Sequence, residues 1–133
     1  MTPLRSLHAL VALLCLGLLL SACVPPQTHA ARRREQLLAV YPPGRTTRTD
    51  VQKKWAPIAP ELMETKPASG WGAAVHPAIR GRAAASEQRT GQVVSRCERY
   101  FGPDGSSGGL CYVWFYYDNR DHVVDAEWQW HTD

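Results

Sequence analysis

Three β-strand patterns in the last third of the chain constrain its fold more than any other feature. The runs QVVSRCERYF at 92–101, LCYVWFYY at 110–117 and HVVDAEWQWH at 122–131 are rich in aromatic and β-branched residues. The glycine-rich segment GPDGSSGG separates the first two runs, and a polar turn, YDNRD, leads into the third. Short connections of this kind join antiparallel neighbours. The sequence therefore predicts a three-stranded antiparallel meander.

Two short helices are predicted ahead of these strands. Residues 30–41, AARRREQLLAVY, have apolar residues on one side, and Pro42-Pro43-Gly44 ends the helix. In the second helix Val51, Trp55 and Ile58 recur at helical spacing and are expected in the core. Thr46, Thr47 or Thr49 can cap this helix, and Thr49 with Gln52 has the spacing of a capping box.

The segment between the helices and the strands, residues 61–92, is rich in Pro, Gly and Ala and has little periodicity. We expect it to be irregular or partly disordered, with at most a brief helix at 83–88. The predicted fold is therefore α+β, with two short N-terminal helices packed on a three-stranded antiparallel sheet (ααβββ). Residues 30–133 form a single domain.

The N-terminal residues 1–22 have the features of a signal peptide, with one early positive charge at Arg5 and an apolar run. The run ends in Leu20-Ser21-Ala22-Cys23, which resembles the lipobox of bacterial lipoproteins. The resemblance implies cleavage before Cys23 and attachment of acyl chains such as palmitate there, with residues 23–29 as a lipidated tether. Val24 rather than Asp follows, which in enterobacterial sorting favours the outer membrane. The alternative is a chance cysteine after an ordinary signal peptide.

Two cysteines remain in the body of the predicted mature chain, Cys97 and Cys111. A first hairpin symmetric about Asp104 would place them directly opposite each other, at the separation that a disulfide requires. The periplasm is oxidising, so we expect a structural Cys97–Cys111 disulfide. The alternative, a Cys–His nucleophile pair, would require an unbridged thiol.

Alternation along the strands places an aromatic ladder, Tyr112, Trp114 and Tyr116, on one face of the sheet. With an even-length second turn, the other face combines Cys111, Val113 and Phe115 with Val124, Ala126 and Trp128, joined by Val93 and Cys97. The ladder is a candidate partner-binding surface because large exposed aromatic patches are typical of interfaces. Alternatively, the 61–92 segment covers it.

Catalytic and metal-binding patterns are missing from the sequence. The histidines show no metal-ligand spacing, the glycine-rich segment has no P-loop lysine, and no Gly-x-Ser-x-Gly elbow occurs. We therefore predict no enzymatic activity, no metal and no cofactor. The net charge of +3 does not indicate nucleic-acid binding. Charge is nevertheless uneven, since residues 23–89 carry a net +6 (11 Lys/Arg, 5 Asp/Glu) and residues 90–133 a net −4 (3 Lys/Arg, 7 Asp/Glu).

The order of lipobox, tether, two helices and three strands resembles the SmpA/OmlA (BamE-like) family of small outer-membrane lipoproteins. Thr47, Val51 and Trp55 match the family's second-helix pattern by spacing, whereas Gly44 stands one residue early and Ala56 replaces a glycine. The resemblance implies a non-enzymatic, periplasm-facing outer-membrane lipoprotein. Such a protein would be held in the membrane by the lipid on Cys23 and would bind or scaffold an envelope protein, as in outer-membrane protein assembly. The alternative is a periplasmic binding or inhibitor module acting on a soluble enzyme or on peptidoglycan.

Overall fold

The computed structural model describes residue 11, residues 29–103 and residues 110–130. Within these residues the chain forms three helices and four strands, which confirms the α+β class and adds one helix and one strand to the predicted set. The elements, in chain order, are α1 (His29–Val40), α2 (Arg48–Trp55), β1 (Leu62–Thr65), α3 (Pro77–Thr90), β2 (Arg96–Pro103), β3 (Leu110–Tyr117) and β4 (Val123–Trp130).

The four strands form one antiparallel sheet in the order β1-β2-β3-β4. The predicted meander of the last three strands is present, and β1 extends it by pairing Leu62 with Arg99 and Thr65 with Arg96. The sheet has two distinct ends. At one end Arg96 pairs with Tyr117, and at the other Pro103 pairs with Leu110.

Helix α2 begins at a capping box formed by Thr47 and Asp50 rather than by Thr49 and Gln52. The Thr47 hydroxyl accepts from the Asp50 backbone N–H at 3.2 Å, and the Thr47 N–H donates to the Asp50 carboxylate at 2.9 Å. Two backbone donors at the helix start are thereby satisfied. Val51 is fully buried, as predicted, and Trp55 and Ile58 pack partly buried against the same core cluster.

The segment predicted to be irregular contains helix α3, which runs over 14 residues. Pro77 occupies its first turn, and Gly91 ends it in the left-handed conformation (φ 67°), which glycine adopts without steric cost. Its buried side chains are Ile79, Ala83 and Ser86. They recur at helical spacing, but two of the three are small or polar, so a search for an apolar stripe misses this helix.

Helices cover both faces of the sheet. One core cluster joins α1 and α2 to Val113, Phe115 and Tyr117, and a second joins α3 to Trp114 and Tyr116. Each face of β3 is therefore buried, which explains its nearly continuous apolar sequence. Phe115 pairs with Ala126, so Ala126 and Trp128 share the predicted face with Phe115. Val124 lies on the opposite face because the register shifts between Tyr116 and Tyr117.

The predicted Cys97–Cys111 disulfide is wrong. Cys97 pairs with Tyr116, and Cys111 pairs with Gly102, so the two cysteines are far apart in the register. The actual register differs from the predicted one by an odd number of residues, which moves Cys97 to the other face. Cys97 therefore lies in the α3 cluster and Cys111 in the α1–α2 cluster, and both remain thiols.

Candidate functional site

The aromatic ladder predicted as a partner surface is largely inside the molecule. Trp114 is 1% exposed and Tyr116 is 0% exposed, because α3 lies over them. Tyr112 is half-buried at the margin of the same cluster. The structure thus follows the alternative in which the 61–92 segment covers this face. A surface built from Trp114 and Tyr116 is not available to a partner.

Charged residues around the ladder hold α3 on the sheet. Arg82 of α3 pairs with Glu127 at 2.8 Å and stacks over the Trp114 ring, and the Tyr116 hydroxyl donates to the same carboxylate. Burial, followed by the negative charge of Glu127, raises the pKa of Tyr116 well above its usual value. Tyr116 therefore acts as a neutral hydrogen-bond donor, which is a structural role.

Asp125 on β4 is a fully buried carboxylate held from two helices. Arg34 of α1 donates to its Oδ1 at 2.8 Å, while Arg89 and Ser86 of α3 donate to its Oδ2 at 2.6 and 2.9 Å. Both carboxylate oxygens accept hydrogen bonds, and the two arginines compensate the negative charge. Asp125 therefore joins α1 and α3 to the sheet, which is a structural role.

Glu98 on β2 is the second fully buried carboxylate. Arg48 of α2 pairs with its Oε1, and the hydroxyls of Tyr100 and Tyr117 donate to its Oε2 at 3.1 and 3.0 Å. Burial and the charge of Glu98 raise the pKa values of both tyrosines above their ordinary value. Glu98 therefore joins α2 to the sheet in the way that Asp125 joins α1 and α3 to it.

The remaining candidate reactive groups are also occupied in packing. Burial raises the pKa of the Cys97 thiol to about 12, so it is not a nucleophile at neutral pH. His76 caps α3 by accepting from the Ala78 N–H, and His122 stands 3.8 Å from Asp118. Across residues 29–103 and 110–130, no three His, Cys, Asp or Glu side chains converge in a metal-binding group.

An exposed aromatic and basic surface, missed by sequence analysis, lies at the end of the sheet where Pro103 meets Leu110. Trp128 and Trp130 contact each other on β4 with ring centroids 4.1 Å apart, and Arg33 of α1 lies 4.9 Å above Trp128. The His29 ring, at the start of α1, is 6.2 Å from Trp128. We call the surface formed by Arg32, Arg33, Trp128 and Trp130 the tether-end surface. The sequence signal for it was the Trp-x-Trp repeat, which places both rings on one face of a strand.

The opposite end of the sheet has a different character. A shallow depression there is lined by residues of the α3–β2 and β3–β4 connections, namely Gln92, Val93, Ser95, Asp118 and Asn119. Val93 is 65% exposed, the most exposed large apolar side chain in the described part of the chain. We call this the distal surface, because helix α1 enters the fold at the other end.

The predicted lipidation residue, Cys23, lies outside the described residues. No helix within the described ranges is long and apolar enough to cross a membrane. Comparison of the chain with protein families, with curated proteins and with solved structures found no match.

Proposed function

We propose that the chain is a non-enzymatic outer-membrane lipoprotein that faces the periplasm and binds an envelope protein, in a role of the kind that the SmpA/OmlA resemblance implies. The observation that carries the proposal is the position of α1 relative to the lipobox. Only residues 24–28 separate Cys23 from the first residue of α1, His29. Six Cα–Cα steps span at most about 20 Å, so a lipid on Cys23 would hold the domain close to the membrane.

The arrangement of titratable groups supports a binding role over catalysis. The buried carboxylates Glu98 and Asp125 are both neutralised by arginines, and the buried tyrosines Tyr100, Tyr116 and Tyr117 donate to carboxylates. A catalytic site needs a reactive group with a perturbed pKa that also faces a substrate cavity. Here the groups whose pKa burial raises, Cys97, Tyr100, Tyr116 and Tyr117, face the core between the sheet and its helices, whereas Asp50, whose pKa is lowered, is an exposed cap of α2.

The distal surface is the place that we assign to the protein partner. An eight-residue strand extends about 26 Å, so this surface would stand away from the membrane while the tether end faces it. The exposed Val93 among polar neighbours gives it the mixed apolar and polar composition of a non-obligate interface.

Lipid attachment is tested by labelling cells with palmitate. Wild type is expected to incorporate label, Cys23→Ser to lose it, and the control Cys15→Ser, altered within the leader, to keep it. Persistent labelling of Cys23→Ser would refute the anchor.

The binding role is tested by placing a photocrosslinking amino acid at Val93 in the full chain and, as a control, at the exposed Ala85 on α3. We expect one envelope protein, identified by mass spectrometry, to be crosslinked from position 93 and not from position 85. A soluble periplasmic enzyme or peptidoglycan as the adduct would instead favour the binding or inhibitor module. The absence of any adduct specific to position 93 would contradict this assignment.

A further inference from the structure

The tether-end surface combines exposed apolar side chains with arginines at one edge of the molecule. Trp130 is 42% exposed. Trp130 pairs with Cys111 and Trp128 with Val113, so both tryptophans lie on the α1 face of β4. Trp128 packs between Trp130 and the first turn of α1. The fold thus leaves the large apolar side chain of Trp130 in solvent at the end where the tether joins, with Trp128 beside it.

Arginines from α1 border these apolar groups. Arg32 is exposed and shares a shallow depression with His29, Arg33 and Gln36, while Arg33 stacks over Trp128. The third arginine of the run, Arg34, points the other way and pairs with the buried Asp125. The nearby β4 carboxylates, Asp125 and Glu127, are both engaged by arginines. Arg32, which is exposed, and Arg33, which stacks over Trp128, bring two guanidinium groups to this edge, with Glu35 as an acidic neighbour on the same helix.

We propose that the tether-end surface rests on the lipid bilayer, with Trp128 and Trp130 at the level of the headgroups and Arg32 and Arg33 against anionic lipid phosphates. Tryptophan favours the membrane–water interface because its ring is apolar and its N–H is polar. Arginines close to a membrane surface attract anionic lipids. This inference builds on the proposed function, which supplies the anchor, and adds a second, non-covalent contact that sets the orientation of the domain.

The chain that precedes α1 favours a bilayer over a protein as the occupant. Residues 24–28 are the whole connection between the predicted anchor at Cys23 and His29, whose ring already contacts Trp128. A reach of about 20 Å leaves little room to insert a folded partner between this surface and the membrane. The lipid surface is therefore the nearest binding partner that the connection allows.

Contact with acyl chains can be measured through tryptophan quenching by brominated lipids. The full chain, purified in detergent, is reconstituted into vesicles of phosphatidylethanolamine and phosphatidylglycerol whose acyl chains carry bromine. The chain has five tryptophans, so the assignment uses the double variant Trp128→Phe with Trp130→Phe, and Trp71→Phe as the matched control. Thermal unfolding of each variant checks that the fold is retained.

We expect bromolipids to quench the wild type and Trp71→Phe, and the double variant to lose most of that quenching. An unquenched wild type would overturn the proposal, and that is the outcome expected if a protein or a second copy of the chain covers this surface. Quenching that survives in the double variant would overturn it as well, because other tryptophans would then be the ones in contact with lipid.

The role of the arginines is tested with Arg32→Gln combined with Arg33→Gln. We expect these substitutions to reduce quenching on phosphatidylglycerol vesicles and to leave it unchanged on vesicles of phosphatidylcholine alone. Equal quenching of variant and wild type on anionic vesicles would overturn the phosphate contact. The quenching measurement requires only that the chain be attached to the vesicle, either by acyl chains on Cys23 or by an uncleaved leader. A failed palmitate experiment and a failed quenching experiment are therefore distinguishable.

Discussion

Glu98 illustrates how a single buried charge fixes the position of a helix. Its carboxylate is fully buried, and its partners come from α2 (Arg48), from its own strand (Tyr100) and from the neighbouring strand (Tyr117). A buried charge is tolerated only when paired and hydrogen-bonded. The position of α2 over the sheet is therefore set by charge pairing as well as by the packing of Val51.

Removal of the arginine from this pair should be strongly destabilising. Arg48→Ala leaves Glu98 buried without its cation, and breaking such a pair typically costs about 3–5 kcal/mol in the free energy of unfolding. Arg45→Ala, at an exposed position in the preceding turn, is the matched control and should change stability by less than about 0.5 kcal/mol. Urea denaturation of both variants measures this difference. Similar midpoints for the two would show that Glu98 does not depend on Arg48.

We expect the protein to lose stability at high pH because its buried tyrosines must stay protonated in the folded state. Burial and the charge of Glu98 raise the pKa of Tyr117 above its ordinary value of 10.0, so the folded chain keeps a proton that the unfolded chain loses. The free energy of unfolding is then unaffected by this group below pH 10 and falls above it, by up to about 1.4 kcal/mol per pH unit. Tyr117→Phe should reduce that slope. Denaturation curves between pH 8 and pH 11 test this, and identical slopes for variant and wild type would contradict it.

Helix α3 is the element that converts an exposed aromatic sheet face into a core. It covers Trp114 and Tyr116 with a buried face made of Ile79, Ala83 and Ser86. Its ion pairs with the sheet, Arg82 to Glu127 and Arg89 to Asp125, lie at the margin of that contact. Helix α3 is therefore held on the sheet by its buried face and by the ion pairs of the arginines beside that face.

A larger side chain at the buried alanine of α3 should disturb the packing of this helix on the sheet. Ala83 is fully buried, whereas Ala85 on the same helix is exposed. Ala83→Leu overpacks the contact and should lower the free energy of unfolding by about 1–3 kcal/mol. Ala85→Leu, with the same helix propensity change, should be near neutral. Thermal or urea unfolding compares the two, and equal stabilities would place α3 elsewhere.

The elements differ in how well sequence reveals them. Strands β2, β3 and β4 could be predicted because the runs 92–101, 110–117 and 122–131 are rich in aromatic and β-branched residues and are separated by turn sequences. Helix α3 could not, because Ala83 and Ser86 carry its buried face with little hydrophobicity. The predicted register of the β2–β3 hairpin was wrong because a glycine-rich connection does not determine where pairing ends. The predicted and actual registers differ by an odd number of residues, so Cys97 lies on the opposite face of the sheet. The predicted partner site was wrong for a related reason. The aromatic ladder would be exposed only if no element covered it, and the covering helix α3 had not been predicted.

At the scale of the whole molecule, Asp125 connects both helical layers to the sheet. The helices on the two faces share few contacts with each other, yet Arg34 of α1 and Arg89 of α3 meet at this one carboxylate. Asp125 lies on the edge strand β4, beside the register shift between β3 and β4, where α1 can reach it. Because one group serves both helices, the stability contributed by each arginine depends on the other.

A double-mutant cycle should reveal this dependence. Arg34→Ala and Arg89→Ala each leave Asp125 with one arginine, whereas the double variant leaves a buried charge with only the Ser86 hydroxyl and the Ala126 N–H. We expect the double variant to lose about 0.5–3 kcal/mol more stability than the two single losses added together, as is usual for residues that share a partner. Arg34→Ala combined with Arg120→Ala, in the exposed β3–β4 turn, should be additive. Urea denaturation of the six proteins, wild type included, measures both cycles. Additivity in the first cycle would mean that α1 and α3 are stabilised independently, and that the two helical layers are connected through the sheet alone.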